Sequence, residues 1–362
     1  TDTRYRNLFD YGDNTMRYFR FTKYFSVTAS TPLGSWIIDI EPTRQREAEI
    51  LLHEMDSIAK QFSSLTEYLE YLGDPTQPLL PWKRESELRQ IISHLQTEIQ
   101  TLTQEAQLEK YQYAPLTPPP STLTLPELEQ WVAELRKSIR DISMKARQQK
   151  IRQNPDAIDE LCNILLNIRR NRIEPADLEK LIFDLVVALD DERTITPNYP
   201  MDDLGNPISH APGNRADIEC LYEQFSMIVE VTLDRGCLQW VREGQPVMRH
   251  LRDFEQRFPD RSVFCLFLAP QIHQDTYSQF WIAVRYEYDG CPQRIVPFSF
   301  EQFAAVAQAA SRHLREHRHF SHRLIYKLLE RATTGLDSLH GYNKWREHLQ
   351  DIVQMWCEEV GQ

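Results

Sequence analysis

The sequence lacks the cysteine patterns that mark redox and zinc sites. Its six cysteines are widely spaced, they include no CxxC pair, and they never combine with histidine at the spacing of zinc ligands. This spacing predicts reduced thiols, mostly in the core of a cytosolic protein. No internal repeat is visible either, which argues against a solenoid.

Long apolar runs are also missing. No stretch approaches the roughly 20 apolar residues that span a bilayer, and no signal-peptide pattern opens the chain. We therefore expect no membrane partner. The chain begins TDTRYRNLF, without an initiator methionine. This beginning predicts a fragment or processed product whose upstream part is missing.

The 362 residues carry a formal net charge of −12, which argues against nonspecific coating of nucleic acid. Two segments depart from this average. Residues 133–172 hold ten Lys/Arg against five Asp/Glu, and residues 312–331 hold six against two, with four histidines. These segments are either candidate faces for a phosphate backbone or ordinary solvated helix faces.

The first half of the chain reads as mostly helical. Residues 16–40 alternate as two strands around a Pro-Leu-Gly turn, which predicts a hairpin. This hairpin is either the wing of a winged-helix module or a small packing element. Thr43 is the expected cap of a following helix. The apolar face expected of that helix comprises Ile50, Leu51, Met55, Ile58 and Phe62. Further helices are expected over 84–112, after Thr124 and over 176–191.

A long loop, 191–214, separates this half from a region of strands. The pattern predicts strands over 217–222, 226–233, 262–269 and 280–288, and a short one in RIVPFSF. It also predicts helices beginning near Pro246 and near EQFAAV. This order of elements indicates an α/β fold with a mixed sheet flanked by helices.

Two acidic residues stand out in this region. Asp217 begins one predicted strand, and Glu230 lies within the apolar stretch MIVEVTL of the next. An unpaired buried carboxylate costs several kcal/mol, on the order of 3 or more, so a partner cation is expected. If the strands form an antiparallel hairpin, the two carboxylates converge. Oxygen ligands at converging strands suit Mg²⁺, which supports phosphodiester hydrolysis. The alternative is a pair of half-exposed carboxylates at a sheet edge.

The stretch SHAPGNRADIECLYEQFSMIVEVTLDRGCLQWVREGQPVMRHLRD resembles the AlwI-type restriction endonucleases, which include site-specific nicking enzymes. The matching features are the APGN-x-x-DIE entry, the VEVT strand and the E-x-x-PV-x-RH segment, in that order. More broadly, Asp-x12-Glu-x-Thr is similar to the PD-(D/E)xK nuclease core. The resemblance runs from about residue 16 to the C-terminus and is strongest over 205–285.

The resemblance implies roles for five residues. Asp217, Glu230 and Glu243 would bind Mg²⁺, with Mn²⁺ as a possible substitute. His250 would contact the scissile phosphate or assist proton transfer, and Glu179 would complete the acidic cluster. Thr232 stands where the general nuclease pattern has a lysine. Since the closer family also has VEVT, this threonine is interpreted as a family trait. In the loop, the candidate phosphate contacts are Asn206, Ser209, Asn214 and Arg215.

The resemblance also implies a restriction-endonuclease-like core with a partial winged-helix hairpin and a helical linker at the N-terminus. Residues 1–44 would end a DNA-recognition module, 45–75 would form the linker, and 76–362 the cleavage domain. The expected activity is Mg²⁺-dependent cleavage or nicking of double-stranded DNA near a short asymmetric site, in a prokaryotic cytoplasm. A second nuclease chain or a self-dimer would be needed for double-strand cleavage. The alternatives are a non-catalytic DNA-binding or scaffold protein, and a nuclease acting on RNA or structured DNA.

Overall fold

A computed structural model describes residues 3–30, 35–54, 60–74, 80, 82–108, 116–168, 173–191 and 195–361. The chain divides into two compact units. The first unit comprises Thr1–Ala146 and Asp202–Asn206, and the second comprises Arg147–Met201 and Pro207–Gln362. The predicted boundaries at residues 44 and 75 separate segments with different functions. A division into compact units does not test them, so they stay a prediction.

The first unit combines a hairpin with helices. Its elements are α1 (Thr3–Thr22), β1 (Phe25–Ser30), β2 (Ser35–Ile40), α2 (Gln45–Glu54), α3 (Leu65–Gly73), α4 (Glu85–Glu105) and most of α5 (Leu125–Ile151). Strands β1 and β2 pair antiparallel, with Val27 opposite Ile38. The expected hairpin is therefore confirmed, and its identity as a wing stays a prediction.

The core of the first unit follows the helical spacing that the sequence shows. Leu88, Ile92 and Leu95 on α4 are buried in one cluster with Leu128 and Leu135 on α5. Residues spaced by three and four lie on one face of a helix, so both helices bury an apolar stripe. The predicted helix over 84–112 is confirmed as far as Glu105; residues 109–115 lie outside the described residues.

Two predictions for the N-terminal region are wrong. Residues 16–22 form the end of α1 rather than a strand; Lys23 adopts a left-handed backbone (φ 60°) that ends the helix and turns the chain into β1. Thr43 does not cap α2. It lies in a 3₁₀ turn, and its hydroxyl donates to Asp203 Oδ2 over 2.9 Å. On the expected face of α2, Ile50 is buried, whereas residues 55–59 lie outside the described residues.

The second unit contains a five-stranded mixed sheet of order β3-β4-β5-β6-β7. The strands are β3 (Ile195–Pro197), β4 (Ile218–Leu221), β5 (Phe225–Val231), β6 (Ser262–Ala269) and β7 (Ile295–Ser299). Strands β3, β4 and β5 pair antiparallel, whereas β5, β6 and β7 pair parallel. The predicted mixed-sheet α/β fold is confirmed.

Helices flank this sheet. They are α6 (Pro155–Leu166), α7 (Pro175–Leu189), α8 (Gln245–Arg257), α9 (Gln274–Arg285), α10 (Phe300–His317), α11 (His322–Thr333) and α12 (Tyr342–Val360). Helix α10 packs against α6 and α12. The core contains Phe225, Phe264 and Phe298, all at most 2% exposed.

The strand predicted over 280–288 is wrong, because residues 274–285 form α9. Tyr277, Phe280, Trp281 and Val284 are all buried, and their spacing of three, four and seven is that of a helix face. A short apolar run cannot be assigned to strand or helix by its apolarity alone.

Two absences hold for the part of the chain that the structure describes. Its six cysteines are all free, and three of them, Cys162, Cys220 and Cys265, are buried. In the same ranges, no helix combines the length and apolarity that crossing a bilayer requires.

Candidate active site

Asp217 and Glu230 are brought together by the β4–β5 hairpin. Ile218 pairs with Val229, so the next residues outward, Asp217 and Glu230, face each other across the two strands. The backbone N–H of Val231 donates to Asp217 Oδ2 over 2.7 Å. Both carboxylates line one pocket of about 360 Å³, together with Glu179, Glu243 and His250. We call this the carboxylate pocket.

The local sequence explains why Glu230 is buried. Strand β5 has the sequence FSMIVEV, and all of it except Val231 is buried. The neighbouring strands β4 and β6 cover both of its edges. Glu230 is therefore only 6% exposed, although it carries an ionisable group.

His250 is the partner of this buried carboxylate. Its Nδ1 lies 2.8 Å from Glu230 Oε1, and its Nε2 lies 3.2 Å from the carbonyl oxygen of Gly213. A neutral imidazole has a single N–H and can donate to only one of these oxygens. Burial lowers the pKa of His250 and raises the pKa of Glu230 well above its usual range. Nε2–H donates to the carbonyl oxygen of Gly213, so Nδ1 and Glu230 Oε1 share one further proton.

Glu243 reaches the pocket from an unusual helical segment. Residues Trp240–Gly244 form a π-helix just before α8. Such single-turn segments occur frequently at functional sites because they change the direction of a side chain. The hydroxyl of Thr232 donates to Glu243 Oε1 over 3.1 Å. Thr232, which replaces the lysine of the general pattern, thus orients an acidic side chain.

Glu179 enters the pocket from α7. It is 5% exposed, and its Oε2 accepts a hydrogen bond from the backbone N–H of Ala211 over 2.8 Å. Ala211 belongs to the loop 191–214, whose polar side chains were the candidate phosphate contacts. The loop contributes backbone groups at Ala211 and Gly213, while His210 and Arg215 also line the pocket. The APG motif is the sequence signal for the backbone contacts.

The electrostatics of the pocket favour a cation. Burial, and then the charge of Glu230, raise the pKa of Asp217 well above its usual range. Burial, followed by Asp217, raises the pKa of Glu179 to about 9. Burial also raises the pKa of Glu243. Carboxylates that disfavour one another's ionisation gain most from a shared positive charge.

The donor set fits a hard divalent ion, because the oxygen ligands it needs are supplied by a threonine hydroxyl and five carboxylates, those of Glu179, Asp217, Glu230, Asp234 and Glu243. Within the described ranges, no three His, Cys, Asp or Glu side chains are already arranged as metal ligands. The pocket therefore supplies the ligand atoms without a preset coordination geometry.

The four loop residues predicted to contact phosphate lie in different parts of the structure. Asn206 lies in the first unit, where its side-chain amide donates to Asp202 over 3.2 Å. Ser209 donates to the neighbouring carbonyl of His210. Arg215 lines the carboxylate pocket, and Asn214 is exposed.

The basic segment 133–172 is partly internal. Arg136 pairs with Glu47, Arg147 with Asp184 over 3.2 Å, and Arg152 with Asp190. These three arginines are engaged within the protein, so they are wrong as candidates for a free backbone-contacting face. For the other basic residues the expectation stays a prediction.

Comparisons with known proteins agree with the sequence resemblance. A model of the AlwI restriction endonuclease family matches residues 1–306. No curated protein matches. Among solved structures, the chain is similar to the small subunit (R.BspD6I2) of the heterodimeric restriction endonuclease R.BspD6I. That similarity has a TM-score of 0.45 at 22% identity and covers 54% of this chain and 98% of the subunit. Because the family match extends over residues 1–306 of the 362, the chain belongs to the AlwI restriction endonuclease family and is a DNA endonuclease.

Proposed function

We propose that the chain is a Mg²⁺-dependent endonuclease whose carboxylate pocket hydrolyses a DNA phosphodiester. Asp217, Glu230 and Glu243 would hold the ion, and Mn²⁺ would substitute for it. The observation that carries this proposal is the convergence of buried carboxylates with raised pKa values in one pocket. Such an arrangement disfavours the apo state and favours a divalent cation.

When bound, the cation would neutralise charge on the phosphodiester and lower the pKa of a water molecule. The remaining roles belong to the protein. The N–H of Val231 fixes Asp217, and the hydroxyl of Thr232 fixes Glu243. Glu179 adds a further carboxyl group at the pocket wall and is held by the N–H of Ala211. Groups held in this way need little reorganisation when substrate arrives.

For His250 we propose a positioning role. Both ring nitrogens are engaged, one with Glu230 and the other with Gly213. This favours His250 as the residue that orients Glu230, rather than as a direct contact of the scissile phosphate. Outer contacts of this type fix the direction of metal-binding side chains and typically change activity about 10- to 100-fold.

The substrate would be double-stranded DNA, cut near a short asymmetric site. One carboxylate pocket cuts one strand at a time, so a single chain would nick. Cleavage of both strands would then require a second chain, either another copy or a different nuclease.

The test is nicking of supercoiled plasmid. We expect relaxed circles with Mg²⁺ and none with EDTA. Asp217→Asn should lower the rate at least about 100-fold, since even outer-sphere changes cost up to that factor. Asp260→Asn is the matched control, because Asp260 is exposed and does not line the pocket. Cleavage that persists in Asp217→Asn, or in EDTA, would contradict the proposal.

A further inference from the structure

A second, larger pocket lies in the same unit, away from the carboxylates. It has a volume of about 830 Å³ and lies among α9, α10 and α12 and the carboxyl ends of β6 and β7. Arg312 of α10 and Arg346 of α12 both line it. We call this pocket the arginine groove.

Neither arginine has a carboxylate partner among the described residues. Arg315 differs from them: it lies on α10, as Arg312 does, and it pairs with Asp156 over 2.8 Å and with Asp159 over 2.9 Å. Two guanidinium groups that line one pocket and form no ion pair there leave positive charge that an anion can neutralise. Guanidinium forks match phosphate oxygens particularly well.

The position of Arg312 is constrained by the end of α12. A Cβ at Gly361 would come within 3.0 Å of Arg312 Nε and 3.1 Å of its Nη2. The absence of a side chain at Gly361 thus lets the guanidinium lie against the helix end. Arg312 is also exposed, so its guanidinium is accessible to a ligand from solvent.

Two acidic residues, Glu301 and Glu358, also line the groove, and neither forms an ion pair with its arginines among the described residues. Glu358 accepts a hydrogen bond from Gln354 over 3.0 Å. Glu301 lies in the first turn of α10, eleven residues before Arg312. At 1.5 Å per residue this separation is about 16 Å along the helix. Glu301 is therefore remote from Arg312, whereas Glu358 lies in the last turn of α12, the helix end that Arg312 contacts.

A third pocket, of about 400 Å³, lies between the other two along the edge of the sheet. This third pocket is lined by Arg235, which follows Asp234 of the carboxylate pocket in the sequence. It shares three lining residues with the arginine groove, namely Pro270, Gln271 and Glu301. Since β5, β6 and β7 are parallel, their carboxyl ends lie at one edge, where α/β proteins bind ligands. The carboxylate pocket lies at the end of β5, and the other two pockets lie at the ends of β6 and β7.

From these observations we propose that the arginine groove binds backbone phosphates of the DNA, at a distance from the bond being cut. This inference rests on the proposed function, because it takes DNA as the occupant. Successive nucleotides of one strand advance about 3.4 Å, so the roughly 16 Å length of the groove accommodates several nucleotides. Arg312 and Arg346 bind phosphate without reading the base sequence.

The test is the salt dependence of DNA binding in EDTA, where no cleavage occurs. The probe is a fluorescent DNA duplex, and the readout is anisotropy at several salt concentrations. The double variant Arg312→Gln/Arg346→Gln should flatten the plot of log affinity against log salt by about one to two units of slope. Its loss of affinity should be similar for unrelated duplex sequences.

The control is a second double variant with the same change in charge. Arg257→Gln/Arg261→Gln alters two exposed cations at the end of α8 that do not line the groove. We expect its slope to stay close to that of the unmodified chain. An equal change in both double variants would mean a general effect of charge and would overturn the inference.

The inference and the proposed function can fail separately. If the unmodified chain nicks plasmid with Mg²⁺ but the groove variant keeps the original salt slope, only the inference is overturned. If the groove variant flattens the slope but no nicking occurs with any divalent ion, the inference stands as DNA binding and the proposed function fails. No binding of DNA by the unmodified chain would contradict both.

Discussion

At Glu230, a carboxylate lies in a strand whose neighbouring side chains are apolar and buried. Two short strands joined by a turn are visible in the sequence, so the convergence of Glu230 with Asp217 could be predicted for an antiparallel hairpin. The contact with His250 could not be derived from local pattern, because it joins residues 20 positions apart on a strand and a helix. The same holds for the backbone contacts of Ala211 and Gly213, which depend on the path of a loop.

Replacing His250 with alanine should lower nicking about 10- to 100-fold at low Mg²⁺, because Glu230 loses the group that orients it. If His250 acts through the ion ligand, the defect should shrink as Mg²⁺ is raised. The measurement is nicking rate across a Mg²⁺ titration, with His340→Ala at an exposed position as the control. A defect of the same size at every Mg²⁺ concentration would instead favour direct action on the phosphate.

Glu41, in the first unit, is a buried carboxylate with no role in the proposed chemistry. It is 0% exposed, and neither of its oxygens has a hydrogen-bond partner among the described residues. Burial, followed by the charges of Asp202 and Asp203, raises its pKa to about 8. The folded state therefore binds a proton that the unfolded state releases at about pH 4.3, its usual range.

Because the pKa of Glu41 is raised by folding, its contribution to stability is largest at low pH and is lost as the pH rises towards about 8. Glu41→Gln should remove this pH-dependent loss in the free energy of unfolding, which is on the order of a few kcal/mol. Urea denaturation at about pH 5.5 and about pH 8.5 measures the difference. Glu49→Gln, at an exposed position, should keep the original pH dependence. An unchanged dependence in Glu41→Gln would show that another group is responsible.

At the scale of elements, periodicity predicted the long helices and most strands. It failed for α9, whose apolar run is short and rich in aromatic residues, and for the end of α1, where aromatic and basic residues alternate. Neither run is long enough to distinguish the helical period of about 3.6 residues from the strand period of about 2 residues. The π-helix before α8 has no periodic signal at all, and Gly244 is its only local mark.

Gly244 allows the π-helix to close. A Cβ at this position would lie 1.9 Å from the Trp240 ring, whereas a Cβ at Gly236 would meet nothing within 4 Å. Gly244→Ala should therefore destabilise the protein by about 1–3 kcal/mol and displace Glu243, with reduced nicking. Gly236→Ala should change stability by less than about 0.5 kcal/mol. Thermal unfolding and plasmid nicking measure the two effects, and equal behaviour of the two variants would contradict this role for the π-helix.

At the scale of the whole molecule, the family and the fold class could be recognised from the sequence, but the division into units could not. Asp202–Asn206 belongs to the first unit although it lies between segments of the second. Asp203 is held there by Thr43 and Arg44. Contacts over about 160 positions leave no local trace, so the long loop could be predicted only as irregular chain.

If each chain carries one carboxylate pocket, the first cut in a plasmid needs one chain. The nicking rate should then be first order in enzyme concentration, and conversion to linear DNA should depend on concentration more steeply. Initial rates over a range of enzyme concentrations measure both orders. A nicking rate steeper than first order would mean that the active form contains more than one chain.

The most direct test of the account is diffraction from crystals soaked in Mn²⁺, with anomalous scattering used to find the ion. If the account is right, an anomalous peak lies between the carboxylates of Asp217 and Glu230, and it is absent in crystals of Asp217→Asn. Two results would contradict the account. One is a chain that nicks DNA with Mn²⁺ while its ion binds elsewhere, and the other is an anomalous peak that persists in Asp217→Asn.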